Sequence, residues 1–446
     1  MTVDVRTVRT EAEKALVETY DRAAPSLVGG AEVRGRRDAA FDKFRRNGLP
    51  HRRIEEWKYT DLRTAMRKAA PPAARPTDDA AAKALAALAD PLVGVERYRL
   101  VLVDGYFCEA LSDRAALAKA GVTVEPAAAL LAANAALLAT PELAAGDMAL
   151  ALNTAFVTDG VAVTVPDGAV PDRPLEIAHV STGGTAHAVA ARNRVVIGAG
   201  ANARIVETHR GPDRVEHQVN IVTDIALGAG ATLGYARLQG EGDRTQHLGT
   251  TLATLSPGAA FNHLTVTAGA ALSRWQLFLT IGGDRAKAGI FGAGMIGGRQ
   301  HADVTLLIDH ALPGATTRVL YKNVVDDDAQ GVFQGKIIVE PDAQKTDAKM
   351  MSQALLLSPT AEFDSKPELE IFADDVQCGH GSTAGEIDDT QLFYLMARGI
   401  QRAEAERLLI EAFLDSAIDA VSDERLATAL RAVVTAWLEK RGNAPA

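Results

Sequence analysis

The residue types and spacing most capable of chemistry occur in one segment, residues 372–381 (FADDVQCGHG). Cys378 and His380 are two residues apart, so on an extended strand both side chains point to the same side. A thiolate and an imidazole placed in this way could bind one metal ion or a cluster. Tetrahedral zinc and iron–sulfur clusters take about four ligands. Because the sequence holds no second cysteine–histidine cluster, a partner or a bound substrate would have to supply the rest.

The same segment has a second interpretation. Cys378 could be a buried structural cysteine beside a histidine that is held by hydrogen bonds, and the spacing alone does not separate the two. The neighbouring acids, Asp374 and Asp375, are adjacent in sequence, so on a strand they would face opposite ways and could not form an acid–base pair. We predict a turn-forming role for both.

Most of the ten histidines fall singly in a β-prone zone, where a lone imidazole is usually an ordinary core or surface residue. This group comprises His179, His187, His209, His217, His247 and His263. His301 and His310 bracket a strand that also holds Asp303 and Asp309, and we predict hydrogen bonding for them. The glycine-rich run over residues 289–298 lacks the Lys-Ser/Thr of a phosphate loop and is predicted to be a turn region.

Composition excludes several classes of protein. With 446 residues, of which 47 % are hydrophobic, the chain can bury a sizeable core and is not disordered as a whole. Acidic residues exceed basic ones by 57 to 47, and a net charge of −10 opposes general nucleic-acid binding. Two cysteines exclude a disulfide framework. No signal sequence is evident, and the longest apolar stretch, residues 127–140, is too short to span a bilayer. We expect a soluble, cytoplasmic protein.

Four regions are predicted along the chain. Residues 1–95 are an N-terminal helical region, 96–160 a mixed α/β connection, 161–380 a β core and 381–446 a C-terminal helical domain. In the β core, the turn Gly198-Ala199-Gly200-Ala201 recurs as Gly228-Ala229-Gly230-Ala231. A period of about 30 residues indicates stacked coils that bury one another's apolar faces. We predict a mainly β fold with a right-handed parallel β-helix, and a β-sandwich remains the alternative. The C-terminal helices could cap this core or present a face to another protein.

Longer motifs then resemble a known family. The stretch from Gln300 to Ile400 is similar to the SufD family, a scaffold subunit of the SUF iron–sulfur cluster assembly system. The matching segments are residues 299–303 (RQHAD), 333–337 (FQGKI), 343–347 (AQKTD), 355–358 (LLLS), 366–371 (KPELEI), 373–380 (ADDVQCGH) and 393–400 (FYLMARGI). Residues 48–50 (GLP), 56–62 (EWKYTDL) and 152–156 (LNTAF) also match, so the resemblance spans nearly the full chain.

This resemblance implies a right-handed parallel β-helix between helical domains, and a complex with SufB and two copies of the ATPase SufC. It further implies that the β-helices of SufD and SufB pair near their C-terminal ends and that the C-terminal helices dock the ATPase. The family's histidine and interface cysteine at the nascent iron–sulfur cluster correspond to His380 and Cys378. The chain would be a non-catalytic scaffold with a transient shared cluster and no nucleotide site of its own, and nothing places a flavin.

Other interpretations stay open at this point. The sister scaffold SufB has the same fold but matches residues 374–381 less well. An interaction solenoid without metal chemistry, and a homodimer of the isolated chain, are also compatible with the sequence. A β-helix enzyme acting on carbohydrate would need a secretory signal and an aromatic platform, neither of which the sequence offers.

Overall fold

The computed structural model describes residues 9–442. Two short segments lie outside the described residues. Residues 1–8 belong to the N-terminal segment used for the signal-sequence prediction, and residues 443–446 end the predicted C-terminal domain. The strands are β1 (Tyr98–Val103), β2 (Tyr106–Phe107), β3 (Thr123–Pro126), β4 (Val161–Val165), β5 (Leu175–Val180), β6 (Ala188–Ile197), β7 (Asn202–Arg210), β8 (Gln218–Leu227), β9 (Thr232–Gly240), β10 (Gln246–Leu255), β11 (Ala260–Thr267), β12 (Leu272–Ile281), β13 (Lys287–Ile296), β14 (His301–His310), β15 (Thr316–Val325), β16 (Gln330–Val339), β17 (Asp347–Leu356), β18 (Glu362–Ile371) and β19 (Gln377–Gly385).

Successive strands alternate between two sheets. One sheet has the order β19-β17-β15-β13-β11-β9-β7-β5-β1-β2, and the other has the order β18-β16-β14-β12-β10-β8-β6-β4-β3. Apart from the β1–β2 and β3–β4 pairs, the paired strands are parallel. One strand from each sheet, with its corners, makes a coil, and the coils stack into a parallel β-solenoid. The predicted mainly β fold with a parallel β-helix core between helical regions is confirmed, and the sandwich alternative is wrong.

A column of small residues explains the sequence repeat. At one corner of successive coils the chain places a buried alanine of the main core: Ala201, Ala231, Ala259, Ala286, Ala315, Ala343 and Ala373. Gly230, which precedes Ala231, has φ of 65°, a left-handed conformation that glycine adopts without strain. Because each corner carries only a methyl group, neighbouring coils approach closely, which is the physical basis of the repeat of about 30 residues.

The prediction of a turn region over residues 289–298 is wrong. Most of this run is strand β13, and only Gly297 and Gly298 lie in the following turn. The glycines in the strand make room for the next coil. A Cβ atom on Gly292 would lie 2.0 Å from the Tyr321 ring, and one on Gly294 would lie 2.4 Å from Oδ1 of Asn323. These glycines accommodate bulky neighbours inside the solenoid.

Helical segments cover the outer faces of both sheets. The N-terminal helices are α1 (Glu11–Ala23), α2 (Ala31–Asn47), α3 (Leu62–Ala65), α4 (Asp78–Ala87), α5 (Arg114–Lys119), α6 (Ala127–Ala133) and α7 (Met148–Phe156), and the C-terminal helices are α8 (Asp389–Met396), α9 (Arg402–Ile418) and α10 (Glu424–Gly442). Phe41 and Trp57 share a cluster with Leu248 of β10. Leu414 and Leu430 pack with outward-facing residues of the other sheet. No helix within residues 9–442 is both long and apolar enough to cross a membrane.

Candidate functional site at the last coil

Strands β18 and β19 form the last coil of the solenoid. Each pairs on one side only, β18 with β16 and β19 with β17, and each ends the strand order of its sheet within the described residues. The hydroxyl of Ser382 donates to that of Ser365 over 2.7 Å and links the two strands. The solenoid therefore ends in an open coil with two unpaired strand edges.

Cys378 and His380 lie on β19, next to buried residues of the preceding coil. Cys378 is the register partner of Ala348, and His380 is the register partner of Met350. Ala348 and Met350 are buried in the main core, so the same alternation directs Cys378 and His380 to the inner side of the last coil. Cys378 is partly buried against that core, whereas His380 is exposed because no further coil covers it.

The side of the chain that faces the core changes from odd to even positions at a corner. Leu369 of β18 packs against the core at an odd position, and Val376 and Cys378 do so at even positions. The segment between β18 and β19 absorbs this change, with Ala373 buried in its middle. Asp375 forms an ion pair with Lys345, and its N–H donates to Oε1 of Gln344 over 3.0 Å. These contacts support a turn-forming role for Asp375.

The thiol of Cys378 is held in its neutral form. Burial raises the pKa of Cys378 above its ordinary value, although the backbone at Ala348 and the charge of Lys349 act in the opposite direction. A metal ion would displace the proton, because metals bind the thiolate. Within residues 9–442, no third histidine, cysteine or carboxylate joins Cys378 and His380 in a three-ligand group. The site at the last coil is therefore incomplete in a single chain.

The other cysteine and the paired histidine–aspartate motifs have structural contacts. Cys108 is buried in a small apolar cluster with Val101 and Val180. His301 contacts the Thr60 hydroxyl over 2.8 Å, and Thr60 also donates to Asp303. These bonds fasten the N-terminal region to the solenoid. His310 contacts the hydroxyl of Thr317 over 2.8 Å.

Sequence reasoning missed a second group of residues inside the solenoid. Three histidines that appear single in the sequence come together with two glutamates: His179, Glu207, His209, Glu241 and His247. His179 and His209 are register partners on adjacent strands. Their separation of 30 residues equals one period of the repeat, and this was the signal that could have placed them together.

Comparison with known proteins agrees with this architecture. The family described as "SUF system FeS cluster assembly, SufBD core domain" matches residues 179–413, and the "SufBD protein N-terminal region" matches residues 10–177. The chain is 30 % identical to an iron–sulfur cluster assembly SufBD family protein of Synechocystis over 96 % of both chains. It is 31 % identical to the iron–sulfur cluster assembly protein SufD of Escherichia coli, over 85 % of this chain and 87 % of that protein. SufD of Bacillus subtilis is 28 % identical over 64 % of this chain and 65 % of that one. The chain therefore belongs to the SufBD family and has a role in iron–sulfur cluster assembly.

Proposed function

We propose that this chain is a non-catalytic, SufD-type scaffold subunit whose last coil supplies two ligands to a nascent iron–sulfur cluster shared with a SufB-like partner. The observation that carries the proposal is the position of Cys378 and His380. Both lie on the strand that ends one sheet, and His380 is exposed there. A thiol and an imidazole at an uncovered end are open to a docking partner, as a shared site requires.

The two open edges of the last coil differ in their suitability for pairing. Strand β18 carries Pro367 and charged residues, of which Lys366 is paired with Glu55 and Glu368. Proline and charge on an edge strand discourage pairing. Strand β19 (QCGHGSTAG) has no formal charge and no proline. An extended strand of the partner would therefore pair with β19, the strand that also carries Cys378 and His380.

The backbone of β19 offers alternate residues to such a partner. Gln377 donates its N–H to the carbonyl of Thr346 on the β17 side. In a parallel ladder the next residue directs its N–H and carbonyl to the other side. Cys378, His380 and Ser382 therefore have backbone N–H and carbonyl groups free at the open edge. Two of these residues, Cys378 and His380, are the proposed cluster ligands.

The proposed partners would complete the chemistry. An iron–sulfur cluster takes about four ligands, so the partner would add the remaining two or so. A SufC-like ATPase would bind the C-terminal helices, because α8 exposes Phe393, Tyr394 and Met396 while α9 and α10 are packed on the solenoid. In this account nucleotide hydrolysis belongs to the ATPase, and cluster assembly takes place at the shared edge in the cytoplasm.

Two substitutions at one position test the proposed pairing. Ser382→Pro removes an outward N–H, whereas Ser382→Ala keeps that N–H, and both lose the Ser365 hydrogen bond. We expect the full chain with Ser382→Pro to lose co-purification with a co-expressed SufB-like subunit, and Ser382→Ala to keep it. Equal recovery of the partner by both variants, with circular dichroism spectra like that of the wild type, would refute pairing through β19.

A further inference from the structure

A group of ionisable side chains lies on the inner wall of the solenoid, in coils other than the last one. Its members come from β5, β7, the corner after β9, and β10: His179, Glu207, His209, Glu241 and His247. The rings of His179 and His209 stack with centroids 4.8 Å apart, and His209 meets His247 edge-on at 4.7 Å. His209 is thus the centre of the group.

The nitrogen and oxygen atoms have the separations of metal ligands. Nε2 of His209 is 2.8 Å from Oε1 of Glu207, and Nε2 of His179 is 4.0 Å from the same oxygen. Within each of two sets, His179–Glu207–His209 and His209–Glu241–His247, the ligand atoms lie within 4.8 Å of one another. Ligands bound at about 2.1 Å to one ion lie roughly 3 to 4 Å apart, so both sets are close to this range.

Hydrogen bonding distinguishes the two sets. In the second set, Nδ1 of His247 is 2.8 Å from Oε1 of Glu241 and its Nε2 contacts Arg237. In the first set, Nε2 of His209 lies beside Glu207 but its Nδ1 has no hydrogen-bond partner, although His209 is only 1 % exposed. Nδ1 of His179 is also without a partner, whereas its Nε2 contacts the side-chain amide of Asn193 over 2.9 Å, a contact that a bound ion would replace. A buried nitrogen without a partner is unfavourable, and a bound ion would coordinate one nitrogen of each ring.

The charges also favour a cation. Glu207 and Glu241 are 3 % and 5 % exposed, and Arg237 beside them is 2 % exposed. Two carboxylates therefore face one buried guanidinium, that of Arg237.

We propose that His179, Glu207 and His209 bind one divalent first-row transition-metal ion inside the solenoid. Two imidazoles and one carboxylate form a ligand set suited to Fe(II), Zn(II) or Co(II). Glu241 and His247 adjoin His209, and the His247 ring meets the His209 ring edge-on. This site is separate from Cys378 and His380 and does not depend on the function proposed for them.

Cobalt binding to the full-length, metal-free chain tests the proposal. We expect one Co(II) per wild-type chain after anaerobic loading and gel filtration, with visible absorption bands that Zn(II) or Fe(II) abolishes. Glu207→Gln and His209→Gln should weaken binding by about 100-fold. His310→Gln is the matched control, because His310 is a buried histidine outside the group, and it should retain one ion.

A double variant, Cys378→Ala with His380→Ala, separates this site from the last coil and should still bind one Co(II). Retention of less than about 0.1 Co(II) by the wild type would overturn the proposal. Wild-type affinity in Glu207→Gln, or loss of the ion in the Cys378/His380 double variant, would overturn it equally. If His209→Gln does not fold, as judged by circular dichroism, the Glu207→Gln result decides, because that change preserves the shape of the side chain.

Discussion

Met350 and His380 are register partners on adjacent strands, yet Met350 is 2 % exposed and His380 is exposed to solvent. The difference arises from position in the stack, since the coil that carries His380 covers Met350 and no further coil covers His380. The alternation of side chains that buries Met350 in the core thus presents the His380 imidazole at the open end of the solenoid. The proposed role of the last coil depends on this uncovered position.

Loss of the His380 imidazole should stop cluster maturation without causing the complex to dissociate. We expect His380→Ala to assemble with the SufB-like and SufC-like subunits as the wild type does, because the backbone of β19 is unchanged. In cells that depend on this system, the activity of an iron–sulfur reporter enzyme should fall to background. Normal reporter activity would remove His380 from the mechanism, and Ser382→Ala serves as the control on the same strand.

The reactivity of Cys378 should rise steeply with pH in the isolated chain. Burial raises the pKa of its thiol, so little thiolate is present at pH 7. The rate of alkylation by iodoacetamide, followed by mass spectrometry, should increase about tenfold per pH unit up to at least pH 9. A rate that already levels off near pH 7 would show a reactive thiolate and contradict this description.

Exposed aromatic residues on α8 should carry the ATPase interaction. Phe393 is 72 % exposed and Tyr394 is 57 % exposed, and such residues often contribute about 2 kcal/mol at an interface. Phe393→Ser should therefore weaken binding of the full chain to a SufC-like ATPase by about 30-fold in a titration. Val93→Ser, which also alters an exposed apolar residue, is the control and should bind as the wild type. Equal affinities for both variants would exclude α8 as the docking surface.

Acid should destabilise the protein partly through His263. Burial lowers the pKa of His263 to about 3, from about 6.5 in the unfolded chain. Between these values the unfolded state binds a proton that the folded state does not, so stability falls as the pH drops below 6.5. The ring stacks between Tyr235 and Trp275, with centroids 5.4 and 4.7 Å away.

Phenylalanine at this position would keep the stacking and remove the titration. In urea unfolding between pH 4.5 and 6.5, His263→Phe should reduce the loss of unfolding free energy by up to about 1.4 kcal/mol per pH unit. A pH dependence identical to that of the wild type would show that His263 does not contribute to acid sensitivity.

The solenoid could be predicted because its physical cause is local in the sequence. Ala201 and Ala231 follow similar Gly-Ala turns one coil apart, and both are buried at the same corner. The glycines of β13 misled the prediction because their reason lies in the next coil, where Tyr321 and Asn323 fill the space. A single sequence does not reveal which side chain faces which glycine across two coils.

The sites were predictable to different degrees. The pair Cys378 and His380 could be found from its spacing of two residues and from the family resemblance, although its exposure depends on where the stack of coils ends. The grouping of His209 with His247 could not be found, because it requires the corner after β9 to bring two sheets together. Amphipathic patterns in the C-terminal helices also did not separate the packed helices α9 and α10 from the exposed face of α8.

The nitrogen coupling of the assembled cluster tests the central claim most directly. The measurement is pulsed electron paramagnetic resonance of the reduced cluster on the complete complex, with only this chain labelled with ¹⁵N-histidine. We predict a hyperfine coupling from one directly bound imidazole, which disappears in His380→Ala and persists in His310→Gln. A cluster without ¹⁵N coupling in the wild type, or with the same coupling in His380→Ala, would contradict the account.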